Sequence, residues 1–103
     1  MNIDLTNLEG FDWDKANIDH LKKHAVGDKE CETVFLNKPF ILTRDDTHSQ
    51  AEERFRVYGQ TNRKRLIVLI FTIRNNKIRV ISARDQNKKE RKEFKETGGE
   101  QNL

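Results

Sequence analysis

Arginine is the side chain best suited to chemistry on a phosphate. Its planar fork meets two phosphate oxygens at once, and it stays charged at any ordinary pH. Arg54, Arg79 and Arg84 are the candidates for this role. Arg79 and Arg84 lie five positions apart, on or just after one expected strand. An odd spacing sends them to opposite faces of a regular strand, so they converge only if Arg84 lies past the strand end or a bulge intervenes. Arg54 alternates with the apolar Phe55 and therefore points to an exposed sheet face. Glu53 is the carboxylate placed to accept a proton beside them, although neighbouring arginines lower a carboxylate's pKa rather than raise it. The plain alternative for each arginine is a solvated side chain or a surface ion pair with Glu52, Glu53 or Asp85. For Glu53 it is an exposed strand glutamate.

Histidines titrate near neutral pH and serve in proton transfer or metal binding. His20 and His24 sit four apart, one helical turn, but no third ligand is evident beside them. His24 is expected instead to hydrogen-bond the end of its helix. His48 lies in a polar loop with Asp45, Asp46 and Glu52, a composition that ordinary turns also use. No metal site and no cofactor are therefore expected. The single cysteine, Cys31, excludes an internal disulfide and reads as a small core residue.

The charge is unevenly spread. Residues 1–53 hold 6 Lys/Arg and 12 Asp/Glu, a net of −6, whereas residues 54–103 hold 14 and 5, a net of +9. A separation this strong predicts a positive surface facing a polyanion, either nucleic acid or an acidic protein. Lys88, Lys89 and Arg91 on an expected charged helix, and Arg65 before a strand, are the candidates for binding nucleic-acid phosphates along that surface. The chain of 103 residues is long enough for one small domain. Its longest apolar run, 66–71, is far below the roughly 20 residues of a membrane helix, and no basic-then-apolar start marks secretion. These features point to the cytoplasm.

The elements that must position these residues can be read along the chain. Residues 1–10 read as a flexible lead-in, 11–95 as one domain, and 96–103 as a disordered tail around Gly98-Gly99. Phe11-Asp12-Trp13 is a candidate short edge strand. Asp14 caps a helix through 24, with Ile18, Leu21 and Val26 as its apolar stripe, and Gly27 ends it. Asp28 caps a second helix that buries Cys31, Val34 and Phe35. Strands follow at 40–43, 54–60, 65–73 and 78–83, the last two joined by an Asn75-Asn76 turn, and a helix closes the chain at 86–95. The prediction is an α+β fold: a four-stranded antiparallel meander with its helices on one face. The expected core is Trp13, Leu21, Val34, Phe35, Ile41, Phe55, Val57, Ile67, Leu69, Phe71, Ile78, Val80 and Phe94.

Several blocks in order resemble a known family. They are Phe11-Asp12-Trp13-Asp14 with Asn17, Leu21-Lys22-Lys23-His24, Glu32-Thr33-Val34-Phe35, His48-Ser49, Glu52-Glu53-Arg54-Phe55 with Gly59, the run Ile78 to Arg84, and Lys88-Lys89-Glu90-Arg91. Together they resemble the BrnT toxins of type II toxin–antitoxin pairs. Ala25 stands where that family often has Gly, and Phe94 where it often has Tyr. The resemblance implies a RelE-like ribonuclease fold and metal-independent RNA cleavage that inhibits translation. It also implies a BrnA-type antitoxin partner that itself binds operator DNA. On this reading Arg84, Arg79, Arg54 and Glu53 are the catalytic candidates. A nonenzymatic nucleic-acid-binding module explains the basic half equally well.

Overall fold

In the computed structural model, which describes residues 5–46 and 52–97, the apolar run near the middle of the chain becomes an inner strand of a four-stranded antiparallel sheet. The strands are β1 (Ile41–Arg44), β2 (Phe55–Gln60), β3 (Leu66–Arg74) and β4 (Lys77–Asp85), and they lie side by side in chain order. The helices are α1 (Lys15–Lys22), α2 (Asp28–Val34) and α3 (Lys88–Glu96). This is the α+β meander expected. Phe11 pairs with Ile78 in a single parallel bridge at the outer edge of β4, so the candidate fifth strand is reduced to one contact. Leu5–Asn7 forms a 3-10 turn, and Leu5 and Leu8 pack against the core. The Glu9 N–H donates to the carbonyl of Asn76 at 2.8 Å. Residues 1–4, the loop at 47–51 with His48, and the Gly98-Gly99 tail lie outside the described residues.

Local chemistry sets the element ends. Asp14 caps α1 by accepting from the Asn17 N–H at 3.1 Å, while Asn17 Oδ1 accepts from the Asp14 N–H at 2.8 Å. The Asn17 amide then donates to the carbonyls of Asp12 at 2.9 Å and Val80 at 3.2 Å, which ties this helix start to β4. At the other end of α1 the Val26 N–H reaches Leu21 O and the Ala25 N–H reaches Lys22 O, a Schellman closure that places Ala25 at φ 53°. Gly27, not Asp28, is the residue that caps α2, and its N–H donates to the Glu30 carboxylate at 3.1 Å. Asn75 and Asn76 take φ of 52° and 63°, the left-handed pair that a two-residue hairpin requires.

The main core lies between the sheet and the first two helices. Leu21 of α1 and Cys31 and Val34 of α2 pack on Phe55, Val57, Leu69, Phe71 and Val80. Phe35 meets Phe71 edge-on at 5.5 Å and Phe11 at 5.6 Å, extending this core to the chain start. Gly59 lets α2 come this close: a Cβ there would stand 2.6 Å from Val34 Cγ1. Trp13, Phe35 and Ile41 are only partly buried, and Val26, Val68 and Ala83 are buried although outside the expected core.

The expectation that all helices share one face is wrong. α3 lies on the opposite side, where Phe94 is buried in a cavity wall shared with Ile41, Thr43 and Tyr58. The cause is the sequence pattern of α3, whose charged run presents one large apolar side chain, Phe94. That single anchor needs only a small apolar patch, which the second sheet face supplies.

Candidate nucleic-acid interface

The second sheet face is built by register. Directly opposed residues in antiparallel strands share a face. One row runs Ile41, Tyr58, Val68 and Arg84, and the next runs Thr43, Arg56, Ile70 and Ser82. Between Ile70 and Phe71 the pairing with β4 slips, because Ile70 faces Ser82 while Phe71 faces Val80. Ile81 is the extra residue of this bulge. Beyond it Arg79 pairs with Thr72, which is four residues from Val68 on β3 and therefore on its face. The bulge thus cancels the odd spacing and brings Arg79 and Arg84 to one face. Arg54 joins them by alternation with Phe55, and Arg56 and Tyr58 lie on the same side.

Each of these cations meets carboxylates. Arg84 forms a two-pronged pair with Glu90 of α3, at 2.7 Å and 3.0 Å, and its side chain remains 47% exposed. That pair and the bond from the Asn87 N–H hold the Glu90 carboxyl below its ordinary pKa. Arg79 is far less accessible, at 11%, and reaches Asp14 at 2.9 Å and Asp12 at 3.6 Å. The Arg79 guanidinium holds the Asp14 carboxyl below its usual range, so this cation braces the start of α1. Arg54 and Arg74 both approach Glu52, at 3.6 Å and 3.3 Å. Arg56 donates to the buried Asp45 at 3.1 Å.

Other sequence candidates lie elsewhere. Glu53 is exposed and turns to Arg44 at 3.4 Å. Arg65 spends all five of its N–H groups inside the protein. It donates to Asp85 at 2.6 Å and 3.3 Å, to Glu30 at 3.2 Å, and to the carbonyls of Ala25 at 2.9 Å and His24 at 3.2 Å. It thereby fills the role at the end of α1 expected of His24. Lys88, Lys89 and Arg91 are exposed on α3, and Arg91 also donates to the carbonyl of Gln86 at 2.6 Å. Cys31 is fully buried, and desolvation among acidic neighbours pushes its thiol up to about 12. Among the described residues no group of three or more His, Cys, Asp or Glu is arranged to hold a metal ion.

Sequence reasoning missed Arg56, Tyr58 and Glu90. The alternation of β2 signalled the first two. The Asn87-x-x-Glu90 capping box signalled the helix start from which Glu90 reaches back to β4.

The family model described as the ribonuclease toxin BrnT of type II toxin–antitoxin systems matches residues 12–90. The chain belongs to the BrnT family. No individually curated protein matches it. Membership makes a BrnT chain the toxin of a type II pair, which implies a protein antitoxin partner and an RNA target. The matched span includes the bulge, the arginine face and the Arg84–Glu90 pair, and stops before Phe94. No helix among the described residues is long and apolar enough to cross a membrane.

Proposed function

We propose that this BrnT chain is a metal-independent endoribonuclease of RelE-like fold that cuts RNA on its arginine-bearing sheet face and so inhibits translation in the cytoplasm. The observation that supports this most is the β4 bulge, which sets Arg79 and Arg84 on one side with Arg54. In such a cleavage the ribose 2′-oxygen bonds to the adjacent phosphorus while the bond from phosphorus to the 5′-oxygen breaks. The 2′-hydroxyl loses a proton and the leaving 5′-oxygen gains one. The products are a 2′,3′-cyclic phosphate and a 5′-hydroxyl. The phosphorane between them carries extra negative charge, and fixed guanidinium groups stabilise it more than the starting diester.

Arg84 is the principal phosphate ligand in this reading. Its guanidinium is held by Glu90 from the α3 side, where that carboxylate is 15% exposed, while 47% of the Arg84 side chain stays open to an incoming phosphate. Arg54 supplies a second charge. Arg79 positions the site by bracing Asp12 and Asp14 as well as adding to the local potential. Glu53, drawn to Arg44, is given no part in the step. Lys88, Lys89 and Arg91 extend the positive surface along the RNA backbone. A BrnA-type antitoxin covers this face and carries the pair to operator DNA.

The test is expression of the chain from a tightly controlled promoter without antitoxin, following growth and total RNA. Growth arrest with fragmented RNA, both relieved by Arg84→Ala, supports the reading. Normal growth with folded protein and intact RNA returns the chain to a nonenzymatic nucleic-acid-binding module.

A further inference from the structure

We infer that the cavity between α3 and the β1–β2 edge is a base-recognition subsite for guanine in the RNA substrate. The inference takes its substrate class from the ribonuclease reading above and goes beyond it to sequence preference.

The cavity has a volume of about 220 Å³. Ile41 and Phe94 give it apolar walls, and Tyr58 adds an aromatic ring. Unstacked RNA bases are held on such surfaces, because every base has a π-face to lay against an aromatic side chain. Thr43, Tyr58 and Glu93 also line the cavity, two residues that carry hydroxyls and one that carries a carboxylate. Among the described residues none of these three side chains has a hydrogen-bond or ion-pair partner. Polar groups converging on an apolar cavity mark a ligand site more specifically than the cavity alone.

Position links the cavity to the phosphate. Glu90 lines it and also holds Arg84 in the two-pronged pair, so the wall of the cavity and the exposed arginine are joined by one side chain. Tyr58 lies in the same cross-strand row as Arg84, with Val68 between them. A nucleotide whose phosphate takes Arg84 has its base within reach of this cavity.

The donor pattern selects the base. Glu93 is an acceptor only, with two oxygens side by side. Guanine alone presents two adjacent donors on its Watson–Crick edge, the ring N1–H and the exocyclic N2–H. Adenine and cytosine each set one amino donor next to an acceptor nitrogen, which a carboxylate repels. Uracil sets its one N–H between two acceptor carbonyls. The hydroxyls of Thr43 and Tyr58 can donate or accept and so serve the remaining guanine edge.

The experiment titrates guanosine, adenosine, cytidine and uridine 5′-monophosphates separately into the purified full-length chain and follows its NMR signals. The inference expects GMP to move the signals of Tyr58, Phe94 and Ile41 and to bind about tenfold tighter than the other three. Glu93→Gln, an exposed helix position, should abolish that preference and leave the shifts at Arg84 in place. Equal binding of all four nucleotides, or shifts confined to Arg84 and Arg79, overturns it.

Cleavage sites mapped on an RNA of mixed sequence separate this inference from the reading it rests on. Cuts clustered beside G in the wild type and dispersed in Glu93→Gln support the subsite. Cuts without base preference overturn the subsite and keep the ribonuclease. Selective GMP binding with no RNA cut keeps the subsite and overturns the ribonuclease.

Discussion

A phosphate approaching the second sheet face meets Arg84 before Arg79, because 47% of the first side chain and 11% of the second is open to solvent. The two arginines are expected to respond differently to removal. Arg84→Ala should lower RNA cleavage by about a hundredfold or more, the usual cost of losing one charge aimed at a transition state, and should cost less thermal stability than Arg79→Ala, because it unpairs one carboxylate rather than two. Arg79→Ala should instead destabilise the fold by about 1–2 kcal/mol, since it strips Asp12 and Asp14 of their shared cation at the start of α1. Paired thermal denaturation and cleavage assays on both variants check this. Equal loss of stability in the two would contradict the division of roles. Arg65 shows why residue type alone misleads. Its sequence position in the basic half made it a candidate for RNA, yet its donors are taken by Asp85, Glu30 and the end of α1. Nothing in the spacing of the chain reveals a contact between residues 40 positions apart.

At the level of elements, two small residues carry predictions of opposite sign. Gly59 sits where α2 crosses β2, and a Cβ there would meet Val34 at 2.6 Å. Gly59→Ala should cost about 1–3 kcal/mol, read from a denaturant midpoint, because the helix must move off the sheet to admit a methyl group. Ala25 closes α1 with φ 53°, a conformation that suits Gly better than any residue with a Cβ. Ala25→Gly should stabilise by about 0.5–1 kcal/mol, the relieved strain exceeding the extra freedom of the unfolded chain. An Ala25→Gly protein less stable than wild type would show that the strain is relaxed elsewhere. The order of strands and helices was legible because alternation, caps and the Asn75-Asn76 turn are local signals. The side chosen by α3 was not. One apolar residue on an otherwise charged helix fixes where that helix can anchor only when the burial of both sheet faces is known. The bulge was likewise foreseen only as a condition for the arginines to converge. A one-residue slip leaves no mark in composition, because Ile81 is as good a strand residue as its neighbours.

On the scale of the whole molecule, the acidic first half and basic second half do not form two separate charged surfaces. Asp12, Asp14, Asp45 and Glu52 from the first half face Arg79, Arg56, Arg54 and Arg74 from the second. Much of the expected polarity is therefore spent in holding the fold together, and the surface left for RNA is smaller than the sequence suggests. Ion pairs across the halves and within them have a pH signature. Asp14, Asp19, Asp85 and Glu90 all have carboxyls held below their ordinary values, chiefly by hydrogen bonds from Arg79, Lys15, Arg65 and Arg84. A depressed carboxyl stabilises the fold fully above its ordinary pKa and loses that contribution as pH falls through the folded value. Unfolding free energy should therefore be level from neutral pH to just above the ordinary Glu value of 4.5 and fall below it. A denaturant series across pH 7 to 3 reads this, and a rise in stability on acidification would contradict it. RNA binding should weaken with salt at a slope of about −0.7 per phosphate neutralised. A small slope, of order two or three phosphates, fits an arginine face already paired in large part with carboxylates. The measurement that tests the central claim most directly is incubation of purified protein with RNA in excess EDTA, with chemical analysis of the new ends. The account predicts cleavage that leaves 2′,3′-cyclic phosphates and is lost in Arg84→Ala with the fold intact. RNA left whole in EDTA but cut when a divalent ion is restored would contradict it.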